Sequence, residues 1–188
     1  MLSQDLLSGA KVARLVWHSA DFQGDELTGS AFPNADVRAE IDKRTNQRRY
    51  VSVDEYACIV KDSVDFVIDQ QTKDGKGELH HREHARLALM QVGVVRSIEI
   101  NEETPIFAVS RHPIKAGEPT PDRPANPAHC GIHNIVHEKT KGQGGRDYLD
   151  DLKNALLDAV EVILHYEDVF QEDADEEVAS SVTLTGDD

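Results

Sequence analysis

The feature that most constrains this chain is an apolar repeat near its end. Between residues 147 and 170, Leu149, Leu152, Leu156, Ala159, Ile163, Tyr166 and Phe170 recur at alternating steps of three and four. That period predicts one long amphipathic helix. Leu157, Val160 and Leu164 form a second row and widen the stripe. Such a stripe must be buried, either in the chain's own core or against a partner.

Charge sharpens the choice. The 188 residues carry 20 Lys and Arg against 35 Asp and Glu, a formal charge of −15. Residues 171–188 hold seven acids and no base, and residues 146–170 hold seven acids and two bases. The first 145 residues are left with only −3. The expectation is one domain over 1–170 followed by a disordered acidic tail over 171–188. An acidic chain argues against general nucleic-acid binding. Its surplus of carboxylates beside an apolar helix suits a protein partner with a basic surface, or a homodimer. No apolar run is long enough to cross a bilayer, and the start lacks the basic-then-apolar pattern of a signal peptide. With two cysteines, Cys58 and Cys130, nothing suggests an oxidised scaffold, and the expected compartment is the cytoplasm.

The rest of the chain reads as mixed elements. Strands are expected at ARLVW (13–17), RRYVSVDE (48–55), VVRSIEI (94–100) and IFAVS (106–110), the last two as a hairpin. A short helix is expected at 35–44 with Asn34 as its cap, and a longer one at 78–93 with Ala85, Ala88, Leu89 and Val92 inward and Gly93 as its stop. Residues 56–60 and 63–71 fit helix or strand. The stretch 111–128 contains five of the seven prolines and is expected to be an irregular loop. The fold class is therefore α+β, a single domain with a mixed or antiparallel sheet and a long amphipathic C-terminal helix.

Several side-chain sets could carry chemistry. His129, Cys130, His133 and His137 lie in NPAHCGIHNIVHE, with histidines spaced by four and a C-x2-H step, so zinc is the ion this set would hold. His80 and His84 could complete it. Asn134 stands where a zinc protease needs its glutamate, which argues against that class. Cys130 beside His129 is also a candidate nucleophile–base pair. In the 48–55 strand, Tyr50, Ser52 and Asp54 share one face and Val51 and Val53 the other, so Ser52 and Asp54 are candidates for a polar site. Two phosphate-contact candidates complete the set: the glycine-rich KGQGGR (141–146) and the basic KRTNQRR (43–49).

Three short stretches, AFP (31–33), YVSVD (50–54) and NPAH (126–129), resemble stretches of small uncharacterised bacterial proteins. The resemblance implies a bacterial cytoplasmic origin and assigns no catalytic residue. Two function classes stand. One is a non-catalytic interaction or accessory protein using the C-terminal helix, the acidic tail and the proline-rich loop. The other is a small metal-dependent or Cys/His-dependent enzyme built around His129, Cys130, His133 and His137.

Overall fold

A computed structural model describes residues 5–72, 81–101, 105–140 and 145–170. In chain order the elements are β1 (Lys11–Trp17), α1 (His18–Asp21), β2 (Phe22–Gln23), β3 (Glu26–Leu27), α2 (Asn34–Val37), β4 (Val51–Glu55) and α3 (Lys61–Gln71). Then follow β5 (Ala85–Gln91), α4 (Val92–Arg96), β6 (Phe107–Arg111), β7 (His129–Asn134), α5 (Gly145–Asp158), β8 (Val160–His165) and α6 (Tyr166–Phe170). Six strands make one sheet in the order β6-β7-β4-β1-β5-β8. Every neighbouring pair in it is antiparallel. The chain is an α+β domain.

One face of the sheet is apolar along its whole width. Val12 and Val16 of β1, Val51 and Val53 of β4, Ala88 and Met90 of β5, Val109 of β6 and Ile132 of β7 belong to a single buried cluster with Leu149, Leu152 and Leu156 of α5. The amphipathic stripe of α5 is thus spent inside the molecule, and the surface on which a docking helix was expected is core. The other face is apolar over β1 and β5 and at Leu164 of β8. There Trp17 and Ala85 pack with Val64 and Ile68 of α3 and Tyr166 of α6, and Ala13, Leu87 and Leu89 pack against Val169 and Phe170.

This two-sided burial explains why the helix expected at 78–93 is absent. A strand covered on both faces reads as an almost continuous apolar run, and ARLALMQ is such a run, with five of its seven residues buried. Its Ala85, Ala88 and Leu89 match a helical stripe by coincidence. The strand begins at Ala85, and the helix that follows it, α4, covers the first part of the expected 94–100 strand. Gly93 lies within α4 rather than beyond a helix end; a Cβ there would stand 2.9 Å from the Ser8 carbonyl oxygen.

The long C-terminal helix breaks for a related reason. After Asp158 the sequence VEVILH offers β-branched residues at 160, 162 and 163, which fit a pleated sheet better than a helix. Residues 160–165 accordingly pair with β5 as an edge strand, Leu87 opposite Leu164 and Ala88 opposite Ile163. The helical spacing of Ala159, Ile163 and Tyr166 therefore runs from the turn after α5 through β8 into α6. The helix expected at 35–44 is only one turn, Asn34–Val37, and Pro33 rather than Asn34 occupies its cap position. Residues 171–188, where the acidic tail is expected, lie outside the described residues, as do His80 and most of KGQGGR.

Candidate functional site

The second face of the sheet changes character across β4. Ala13 of β1 stands opposite Asp54, Asp54 opposite His129 and Ser52 opposite Gly131, and Gly131 opposite Ser110. Directly opposed residues point to the same side of a sheet, so the face that is apolar at Ala13 becomes polar beyond it. Ser52, Asp54, His129, Gly131, His133 and Ser110 all lie on this side. Tyr50, just before β4, and His112, just after β6, extend the same rows. The alternation read from RRYVSVDE holds: Val51 and Val53 are buried and Ser52 is exposed.

Two groups of contacts organise these side chains. In the first, His129 Nδ1 lies 3.4 Å from Asp54 Oδ1, and Tyr50 Oη lies 3.3 Å from His129 Nε2. Asp54 is itself held by Asn126, whose Nδ2 donates to Oδ1 at 2.8 Å, while Asn126 Oδ1 accepts from the Ala128 backbone N–H at 3.1 Å. With the proton on the ring nitrogen that faces the carboxylate, Nε2 of the neutral ring accepts and Tyr50 donates. The result is a directed chain, Tyr50 to His129 to Asp54. Burial pushes the Tyr50 phenol above its ordinary pKa, against the lowering pull of the Arg123 guanidinium.

In the second group, His112 Nε2 and His133 Nε2 are 2.8 Å apart, and Ser110 Oγ lies 3.0 Å from the first and 3.1 Å from the second. The Tyr50 ring stacks on His112, with centroids 4.9 Å apart and planes 13° from parallel, and tilts against His133 at 4.9 Å. Burial lowers the pKa of His112, with a smaller lowering from the neighbouring His129. Burial and the neighbouring His112 lower His133 further, to about 4. Both shifts disfavour the charged form of these rings.

Beside Tyr50 and His129 opens a cleft of about 710 Å³, walled by Arg49, Ser52, Ile114 and Arg123 among others. Arg49 is engaged by Asp36 at 3.8 Å and Asp42 at 3.5 Å, and Arg48 lies 3.9 Å from Glu138. Arg123 makes no ion pair among the described residues. The 112–128 loop that carries it is ordered by its own contacts. Ile114 bridges to Asn126, Ser63 Oγ donates to the Ala125 carbonyl at 2.9 Å, and Gly117 turns the chain at φ 76°. That left-handed conformation favours glycine.

The expected histidine–cysteine set is divided by the pleat. His129 and His133 lie on the polar face, four residues apart on one strand. Cys130 points the other way into the core, is fully buried, and donates to the Ala128 carbonyl at 3.1 Å. Burial, with the charges of Glu55 and Asp54, raises its thiol pKa to about 12, which leaves no thiolate for nucleophilic or metal chemistry at neutral pH. His137 lies beyond the strand in a short turn, 3.0 Å from Glu138, and His84 pairs with Glu83 at 3.5 Å. Among the described residues no three His, Cys, Asp or Glu side chains form a group that could hold a metal ion. Of the polar-strand candidates, Asp54 is joined to His129, and Ser52 lines the cleft. KRTNQRR contributes Thr45, Gln47, Arg48 and Arg49 to the cleft wall.

The sequence reading passed over Tyr50, Ser110, His112, Asn126 and Arg123 as site residues. Ser110 and His112 follow the two-residue step of a strand face, a signal visible only once the strand is continued past residue 110. Arg111, between them, points to the core side and clasps Glu55 through Nε at 2.9 Å and Nη2 at 2.7 Å, tying β6 to β4 across β7.

Among the described residues no helix is long and apolar enough to cross a membrane. No protein-family profile, curated protein or solved structure matches this chain.

Proposed function

We propose that the protein is a small histidine-dependent enzyme whose acid–base group is the Tyr50–His129–Asp54 chain, acting on a small polar molecule with an acidic group. One observation carries the reading: the chain ends on the wall of the cleft that Arg123 also lines, a cation that makes no ion pair among the described residues. The carboxylate–imidazole–hydroxyl order is the general arrangement for activating an oxygen acid, with the carboxylate fixing the tautomer and the imidazole accepting the proton. Tyr50 is the group that would give or take a proton at the substrate, His129 its proton acceptor, Asp54 and Asn126 the positioning residues, and Arg123 the anchor for the acidic group. The buried Cys130 has no part in it. This reading takes up the histidine-dependent alternative and moves its centre from the His–Cys run to the strand face that Asp54 shares with His129.

A thermal-shift series with inorganic phosphate, pyrophosphate and citrate tests it. The reading expects at least one of these anions to stabilise the wild-type protein and Arg123→Ala to lose the effect. No stabilisation by any of the three, or equal stabilisation of Arg123→Ala, overturns it. Once a substrate is identified, His129→Asn should lower turnover by about 100-fold or more, the scale of general acid–base catalysis.

A further inference from the structure

The triangle of His112 Nε2, His133 Nε2 and Ser110 Oγ has no role in the chain just described. Its edges are 2.8, 3.0 and 3.1 Å. Each edge is a hydrogen-bond distance, so protons decide what the cluster is. On each edge a proton serves only where one atom donates and the other accepts. A ring whose Nε2 carries a proton cannot accept there, and a ring whose Nε2 is bare cannot donate. If both Nε2 atoms carry protons, two N–H groups collide across the shortest edge. If neither does, two lone pairs face each other across it. With one proton on the pair and one on the hydroxyl, two edges are served and the third has no proton of its own. A single cation satisfies all three atoms together.

From this we propose that His112, His133 and Ser110 supply three adjacent positions of a binding site for a six-coordinate or tetragonal divalent transition-metal ion. Metal–nitrogen bonds of about 2.0–2.1 Å at right angles separate neighbouring donors by about 2.9 Å, whereas tetrahedral angles separate them by about 3.3 Å. The observed edges match the first arrangement. Imidazole ligands in tetragonal or octahedral geometry suit Ni²⁺ and Cu²⁺. The zinc expected of the His–Cys run would demand wider spacing. The donors are two imidazoles and a hydroxyl from two strands, not three histidines, cysteines or carboxylates. The backbone makes room for them: Gly131, on the strand that carries His133, stands opposite Ser110, and a Cβ there would stand 2.7 Å from His133 Nε2. Glycine inside a strand weakens the strand and often marks a close approach.

The test uses the full chain, stripped with a chelator and titrated with Ni²⁺, because the exposed thiol of Cys58 would reduce Cu²⁺. Wild-type protein is expected to bind one equivalent, and His112→Gln and His133→Gln each to lose it. Ser110→Ala is expected to weaken binding by on the order of 10–100-fold, as for other supporting contacts at metal sites. His84→Gln and His137→Gln are controls expected to bind as wild type does. Should a variant fail to fold, imidazole NMR of the wild type decides the matter. The paramagnetic ion should broaden the His112 and His133 resonances before those of His18, His84 and His137. Equal binding by the His112 and His133 variants, absence of a stoichiometric site, or earlier broadening elsewhere overturns the proposal. None of these outcomes depends on anion binding at Arg123, so this site and the acid–base reading fail independently.

Discussion

The Tyr50 ring lies so close over Gly131 that a Cβ at position 131 would stand 2.6 Å from Tyr50 Cδ2. Gly131 is in the interior of a strand, where it costs stability relative to any residue with a side chain to pack. The strand gains in return the close stacking of Tyr50 on His112 and the approach of Tyr50 to His129. Gly131→Ala should therefore displace the ring and lower stability by roughly 1–3 kcal/mol, the usual cost of overpacking. Urea denaturation measures the loss. Near-ultraviolet circular dichroism should report a changed tyrosine environment.

The two thiols should behave oppositely. Cys58 is exposed and Cys130 buried, with a pKa raised to about 12. Folded protein should react with a thiol reagent at one equivalent, and the second should react only on unfolding. The substitution Cys58→Ser should abolish the fast phase. Rapid modification of Cys130 in the folded protein would contradict its placement beneath the β6-β7-β4 strands.

A polar cluster fastens α6 to α3. Tyr166 Oη donates to Asp65 Oδ1, Lys61 Nζ donates to Oδ2 at 2.8 Å, and Arg82 Nη1 to Oδ1 at 2.8 Å. Burial pushes the Asp65 carboxyl up, but the hydrogen bonds from Lys61 and Tyr166 and the Arg82 charge outweigh it and hold its pKa below the usual value. A carboxyl whose folded pKa is depressed adds stability that is present above its unfolded pKa of about 3.9 and lost as the pH falls through the folded value. Asp65→Asn should cost about 1–3 kcal/mol near pH 7. The gap to wild type should shrink below about pH 4. Urea melts at pH 7 and pH 3 check both the size and the sign.

The stripe of α5 belongs to the core, and Leu152 is fully buried there. Leu152→Ala should destabilise the domain by about 2–5 kcal/mol. A helix held for docking would instead tolerate the change. Thermal unfolding separates the two outcomes.

What was legible in the sequence depended on how many faces each element buries. RRYVSVDE, buried on one face only, alternates cleanly, and its two faces were read correctly from spacing alone. ARLALMQ and VEVILH gave misleading helical periods. The first is covered on both sides. The second takes up the three-and-four spacing begun in α5 at the point where the chain changes from helix to edge strand. The α+β class and the antiparallel sheet survived these errors because they rest on the balance of elements rather than on any one boundary. The site was legible only in half. The pairing of Asp54 with His129 needs the register of β4 against β7, which no local pattern encodes. The separation of Cys130 from its neighbouring histidines follows from the two-residue pleat, and depended on knowing that HCGIHN is a strand. Arg123 is brought to the site by a proline-rich connection whose path is set by tertiary contacts such as that of Ser63 with the Ala125 carbonyl, while Ser110 lies on β6 and His112 directly follows it.

The most direct test of the account is the protonation of the His129 ring, read by long-range proton–nitrogen NMR on the wild-type protein and on Tyr50→Phe. The account predicts one fixed tautomer at neutral pH, with the proton on Nδ1 facing Asp54 and a bare Nε2. The nitrogen shift of Nε2, but not that of Nδ1, should move when the Tyr50 hydroxyl is removed. A proton on Nε2, or a ring that averages between tautomers and ignores Tyr50→Phe, would contradict the Tyr50–His129–Asp54 chain.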